Sequence, residues 1–385
     1  MKYWRGFLVA AIVAAITLGL QLLAKQYHQI VDMFYPYLTR EIQVFLAQWT
    51  GTVDFTVWQV LAMLVLVILL VTVLLMIVLK WNFMQWLGWV LSIASLVWLL
   101  HTGIWGLNYF AGPLSDDMRL DSYDFTVDDM EDASIYFLTQ ANALATQLPR
   151  DESGAMIMPT FQAVAEMAGN GYESLTYSTS SVFGGCTLPV KQLQWEKLYT
   201  SLGVTGVTFP LTGEAAVNPQ TPSAALAYQM CKEMAHRMSI ATEADAQFAA
   251  FLACRENSEV LYRYSGYFMA YRYCYDALLA DGSAEAAAAA ARISLQANAQ
   301  LRHDLQEYDN FFAGSTLSAM AQEVTYTFLN LSGNQTSGTS YSQVSILLFN
   351  WYIEEMVMPY VEQEDVNGFD PMDKDYIGGI LEGIG

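Results

Sequence analysis

The chain has 385 residues, 54% of them hydrophobic and 14% charged, with a formal net charge of −21. That length is ample for a sizeable core and two or three domains, and so apolar a composition directs attention first to membrane spans. The acidity excludes nucleic acid as a partner, because its phosphates would be repelled.

Three windows are long and apolar enough to cross a bilayer. Residues 6–24 carry no charge between Arg5 and Lys25, residues 55–79 none between Asp54 and Lys80, and residues 83–106 hold only His101 as an ionisable group. Lys2 and Arg5 before the first window would also suit a signal peptide. The sequence Leu23-Ala24-Lys25-Gln26 is a poor cleavage site, however, so an uncleaved anchor is expected. Residues 1–115 have a net charge of +2 and the remainder −23. Lys2, Arg5 and Lys80 mark the cytoplasmic ends, which places everything after the third span outside the cytoplasmic membrane.

Between the first two spans, "DMFYPYLTREIQVFLAQWTG" reads as a short interfacial helix whose Tyr and Trp suit the headgroup region. Residues 111–125 read as an acidic linker, residues 126–361 as the outer domain and residues 362–385 as an acidic, Gly-rich tail. Helical spacing runs from Asp128 to Leu148, and a second helix is expected from Pro159 to Leu175. Gly203 and Gly206 punctuate a Val/Thr/Phe-rich run that suggests one or two short strands. Pro222, after Thr221 as N-cap, opens a helix ending near Met238. Thr242-Glu243-Ala244-Asp245 resembles a capping box for the next helix, which runs through Cys254. An aromatic-rich helical stretch follows, and then one that Ser283 caps. Glu354 and Glu355 interrupt the last apolar run, so a packed helix is expected there rather than a fourth span.

Cys186, Cys231, Cys254 and Cys274 are too few for a disulfide framework and lack CxxC spacing. One bridge or buried free thiols both remain open.

The segment Lys232-Glu233-Met234-Ala235-His236 has the frame of H-E-x-x-H with lysine in place of the first histidine. In that motif two histidines one turn apart bind zinc, and the glutamate between them takes the proton of a zinc-bound water. Here Glu233 occupies the base position and His236 one ligand position. Glu243 or Asp245 on the next helix could supply a further ligand. A protonated lysine has no lone pair to offer and repels a cation. Lys232 therefore pairs with Asp245 or Glu233 in the space a metal would fill. His28, His101 and His303 are remote from this segment. Glu214 could lie on a strand at the rim of a cleft. Tyr264 and Tyr267 offer hydroxyls there, although aromatic residues at helical spacing more often belong to a core.

The text around this helix resembles a known family. "TGVTFPLTGEAAVN", the E-x-x-H helix, "EADAQFAAFLACRE" and "LYRYSGYF" occur in this order, with "DMFYPYLTR" and "GLNY" before them and "GTSYSQVSILL" after. Together they resemble domain-of-unknown-function family 3810, bacterial multi-pass membrane proteins that look like H-E-x-x-H metallopeptidases. The resemblance implies a mainly α protein, with three N-terminal transmembrane helices and an α-rich α+β zincin-like domain on the extracytoplasmic side. It assigns Glu233 to the base, His236 to the second histidine ligand and Asp245 to an acidic third ligand. Lys232 and the shortened Asp245 depart from the pattern at the metal shell. The expectation is a catalytically inactive homologue with no resident cofactor, which binds a peptide or envelope partner in the former cleft. An active zinc peptidase and a structural envelope protein are the alternatives.

Overall fold

The structure is a computed structural model and describes residues 4–179, 181–185, 187–313 and 340–359. It is mainly helical. Among the described residues three helices are long and apolar enough to cross a membrane: α1 (Arg5–Gln26), α3 (Val57–Val78) and α4 (Phe83–Ile104). They match the three windows expected from the sequence, α1 running one or two residues past its window at each end, because uninterrupted apolarity is a signal that needs no tertiary context. α1 and α4 pack closely. A Cβ on Gly6 would meet the Gly88 carbonyl carbon at 2.5 Å, and the Ser92 hydroxyl donates to Gly6 O at 2.7 Å.

The segment expected as a short interfacial helix does form a helix, but a long one of 23 residues, α2 (His28–Thr50), which contains Pro36. Its Thr39, Arg40, Gln43 and Ala47 are buried against the globular part of the chain. Gln43 Nε2 donates to Pro210 O at 3.0 Å, Arg40 Nε to Met238 O at 3.3 Å, and Thr50 Oγ1 to Thr212 O at 3.2 Å.

After α4 the chain makes a 3₁₀ turn (Gly106–Phe110) and the short helix α5 (Leu114–Met118). The run from Asp121 to Tyr123 then lies beside the last described helix, Ser340–Tyr352, with Tyr123 N donating to Asn350 Oδ1 at 3.2 Å. α6 (Val127–Ala145) opens on a capping box formed by Thr126 and Asp129. The helix expected from Pro159 is two helices, α7 (Phe161–Met167) and α8 (Gly169–Ser178). α8 approaches the later helix that carries Ala253 so closely that a Cβ on Gly171 would lie 1.8 Å from Ala253 O.

A three-stranded sheet follows, built from β1 (Lys191–Gln192), β2 (Gly206–Phe209) and β3 (Glu214–Val217) in the order β1-β3-β2. The short helix α9 (Glu196–Ser201) joins β1 to β2. β1 pairs with β3 in parallel, and β2 pairs with it antiparallel, Gly206 opposite Val217. The β2–β3 turn ends at Gly213, whose φ of 66° favours glycine, and a Cβ there would come within 2.7 Å of Ala47 N in α2.

The core helices are α10 (Ser223–Arg237), α11 (Glu243–Arg255), α12 (Val260–Asp281), α13 (Ala284–Ser294) and α14 (Ala299–Phe312). Pro222, not Thr221, takes the N-cap position of α10, with no side-chain cap; Thr221 Oγ1 instead donates to Thr205 O at 3.3 Å. Thr242 and Ser283 do cap α11 and α13. α10 and α11 are rich in alanine and buried on nearly every side, which lets them sit at the centre of one core with α6, α8 and α12. Glu354 and Glu355 lie in a π-helical turn that continues the last described helix. Cys231, Cys254 and Cys274 are buried free thiols, whereas Cys186 and the acidic tail lie outside the described residues.

Candidate functional site

Gln229, Lys232, Glu233 and His236 recur at helical spacing, so they share the face of α10 that turns toward β2 and the start of α11. β2 passes directly over this face. A Cβ on Gly206 would stand 2.6 Å from Glu233 Oε1 and 2.9 Å from Gln229 Nε2, so only glycine lets the strand approach so closely.

Glu233 is 2% exposed, and its carboxylate is already engaged on both oxygens. Oε1 accepts from Gln229 Nε2 at 2.8 Å and lies 3.4 Å from Lys232 Nζ, while Oε2 accepts from Thr208 Oγ1 at 2.8 Å. Lys232 Nζ makes its shortest contact with Glu243 Oε1, at 2.6 Å. The other oxygen of Glu243 lies 3.2 Å from His236 Nε2, and His236 Nδ1 lies 3.0 Å from Ile240 O. The chain between His236 and Ile240 turns tightly, with Ser239 at a φ of 73°.

Burial alone would lower the pKa of Lys232, but Glu243 and then Glu233 raise it well above the ordinary lysine value. Burial alone would raise Glu243, but Lys232 and then His236 bring it below the ordinary carboxylate range. The two groups thus hold each other ionised. The donor set does not fit a zinc ion. One imidazole nitrogen and the carboxylate oxygens of Glu243 and Glu233 converge on a position already taken by an ammonium, which has no lone pair and cannot easily lose its proton here.

Asp245 does not join this cluster. Its Oδ2 accepts from Thr242 Oγ1 at 2.6 Å while its own N–H donates back at 3.1 Å, so it closes the N-terminal cap of α11. Burial raises its pKa. It lies instead on a groove of about 430 Å³ whose lining includes Lys25, Tyr109, Phe110 and Ile346. Glu243, one position after the cap, is the acidic residue that reaches α10. The capping box visible in the sequence could have separated the two, because a side chain committed to the cap is not free to ligate.

Glu214 lies on the central strand β3, away from the cluster. It receives Val57 N and Trp58 N at 2.8 Å each and pairs with Lys191 Nζ at 2.8 Å, so it caps the N-terminus of the spanning helix α3. Lys191 also donates to Thr50 O and Phe55 O, at 2.7 and 2.9 Å. Tyr264 is a core residue: its hydroxyl donates to Asp304, which pairs with both terminal nitrogens of Arg150 at 2.7 Å. Tyr267 packs among Tyr136, Phe137 and Phe251. Sequence reading missed the Arg150–Asp304 pair. His303, Asp304 and Glu307 do bring ligand-type atoms within 4.8 Å of one another, but Arg150 and Tyr264 already occupy Asp304.

Two residues of the membrane region also reach the cluster. Trp105, at the end of α4, donates its indole N–H to His236 O at 3.0 Å. Tyr109 stands edge-on to the Trp105 ring, with centroids 5.4 Å apart, and its hydroxyl is pushed upward in pKa by burial and then by the Glu243 charge.

The profile of a protein family described as protein of unknown function (DUF3810) matches residues 31–349. The chain belongs to this family. The DUF3810 match begins within α2 and ends within the last described helix, so it takes in α3, α4, the sheet and every residue of the cluster. No curated protein and no solved structure matches the chain.

Proposed function

We propose that this DUF3810 member is a membrane-anchored, catalytically inactive homologue of an H-E-x-x-H metallopeptidase, with a zincin-like domain outside the cytoplasmic membrane that binds a peptide or envelope partner. One observation carries the reading: Lys232 Nζ stands 2.6 Å from Glu243 and 3.4 Å from Glu233, so an ammonium fills the position where ligand-type groups converge. The arrangement supports a descent from a zinc site. An E-x-x-H helix lies under an antiparallel edge strand, and the following helix returns an acidic residue to the histidine. It also supports the loss of hydrolysis, because both oxygens of Glu233 are engaged and no imidazole replaces the first ligand. Among the described residues β2 is an edge strand paired only with β3, which suits pairing with an extended peptide on its other side. The opposite ends of the spans carry Arg5 and Lys80, which favours the extracytoplasmic side for the domain.

The test is metal analysis of the full-length protein purified without chelators. Wild type is expected to be free of zinc, whereas Lys232→His restores a histidine one turn before His236 and is expected to bind it. Adding Glu243→Gln to Lys232→His should abolish that binding, and adding Asp245→Asn should leave it intact. Stoichiometric zinc in the wild type would overturn the proposal.

A further inference from the structure

α2 has two opposed faces. Thr39, Arg40, Gln43 and Ala47 turn into the globular domain, while Ile30, Phe34, Leu38, Phe45 and Trp49 are 59–73% exposed. At about 100° per residue these two groups fall on opposite sides of the helix. Polar side chains face the protein and apolar ones face outward, which inverts the usual pattern of a surface helix in water.

Both ends of α2 continue into spans. Tyr27 alone separates it from α1, and residues 51–56 lead to α3. A straight helix of 23 residues is about 34 Å long, so α2 holds the adjoining ends of α1 and α3 far apart. Residues 79–82 alone join the opposite end of α3 to α4. The near end of α4 stays under the first half of α2, where Tyr35 donates to Thr102 O at 2.8 Å. α3 therefore diverges from the packed α1–α4 pair toward the domain, and Gln59 is its one buried residue.

We propose that α2 lies in the plane of the domain-side leaflet and roofs a lipid-filled wedge between α3 and the α1–α4 pair. Lipid is the occupant because the roof is continuous with spans on both sides and because α3 is almost wholly large aliphatic side chains. Helix partners in a membrane need small residues for close approach, and α3 offers Ala62 as its one alanine and no glycine. Tyr37 and Trp49 suit the headgroup boundary. Glu41 and Gln48, on the same outward face, set the depth of the helix at that boundary rather than in the hydrocarbon.

Spin labels on the full-length protein in liposomes test the proposal, with Cys186→Ser as background and the unlabelled-site parent as control. Labels at Leu38→Cys and Phe45→Cys should collide with oxygen and be shielded from an aqueous nickel chelate, as a label at Leu66→Cys in α3 should be. Tyr177→Cys, at a position 91% exposed on the domain, supplies the aqueous reference. Nickel access at α2 equal to that reference would overturn the proposal, and so would shielding from both reagents, which would mark a protein partner on this face. The wedge has its own readout. The distance between labels at Leu61→Cys and Leu100→Cys should exceed that between Ile77→Cys and Met84→Cys by more than about 10 Å. Equal distances would show that α3 packs along α4 and that no wedge exists.

Discussion

Lys232 lies where two carboxylates and an imidazole meet, and its charge decides what the cluster can hold. Because Lys232 and His236 depress Glu243, the stability it contributes is complete above the ordinary glutamate value of about 4.3 and is lost as pH falls below it. Lys232 is raised, so its contribution is complete below about 10.4 and is lost as pH climbs beyond that value. Thermal unfolding in detergent should show wild type losing more stability than Glu243→Gln between pH 6 and pH 3.5. Lys232→Met strands two carboxylates in a mostly buried site and should cost about 2–3 kcal/mol. Combining it with Glu243→Gln should recover part of that loss, and a double-mutant cycle with no coupling would contradict the pairing. The frame around Lys232 was legible from five consecutive residues. That Glu243 rather than Asp245 completes it was not, because the choice depends on which side chain Thr242 engages at the start of α11.

At the scale of elements, the joint between the sheet and α3 rests on one carboxylate. Glu214 accepts two backbone N–H groups at the start of α3 and pairs with Lys191, so it satisfies donors that a helix N-terminus otherwise leaves open. Glu214→Ala should lower stability by about 3–5 kcal/mol, since it leaves Lys191 as a buried charge without its partner. Limited proteolysis should then cut the segment at residues 51–56 faster than in wild type; unchanged cleavage would mean that the joint does not depend on Glu214. Sequence reading placed this residue near a cleft because both its strand and α3 were recognised but not their contact, which joins positions 157 residues apart through a single carboxylate. The length of α2 escaped for a related reason. Its buried face is polar, so hydrophobic periodicity marked the side that leaves the domain rather than the side that docks.

Across the whole molecule, the spans and the strongly periodic helices were readable from local pattern, whereas every contact between membrane helices and domain was not. Those contacts involve single polar groups, such as the Trp105 indole on His236 O and Thr39 Oγ1 at 2.9 Å from Ser239 Oγ, with no sequence signature of their own. They tie the cluster to the middle of α2 and the end of α4, so whatever reaches it does so beside the apolar helices. The close crossing at Gly6 and Gly88 bears on how this assembly is made. The two glycines meet within van der Waals distance, yet synthesis at about 5–20 residues per second separates their appearance by several seconds. α1 must therefore reside in the bilayer as a lone helix until α4 arrives, with α2 and α3 produced in the interval. Gly6→Leu should let α1 insert normally yet prevent its pairing, which cross-linking between positions on α1 and α4 would detect as a late defect in assembly rather than a failure of insertion.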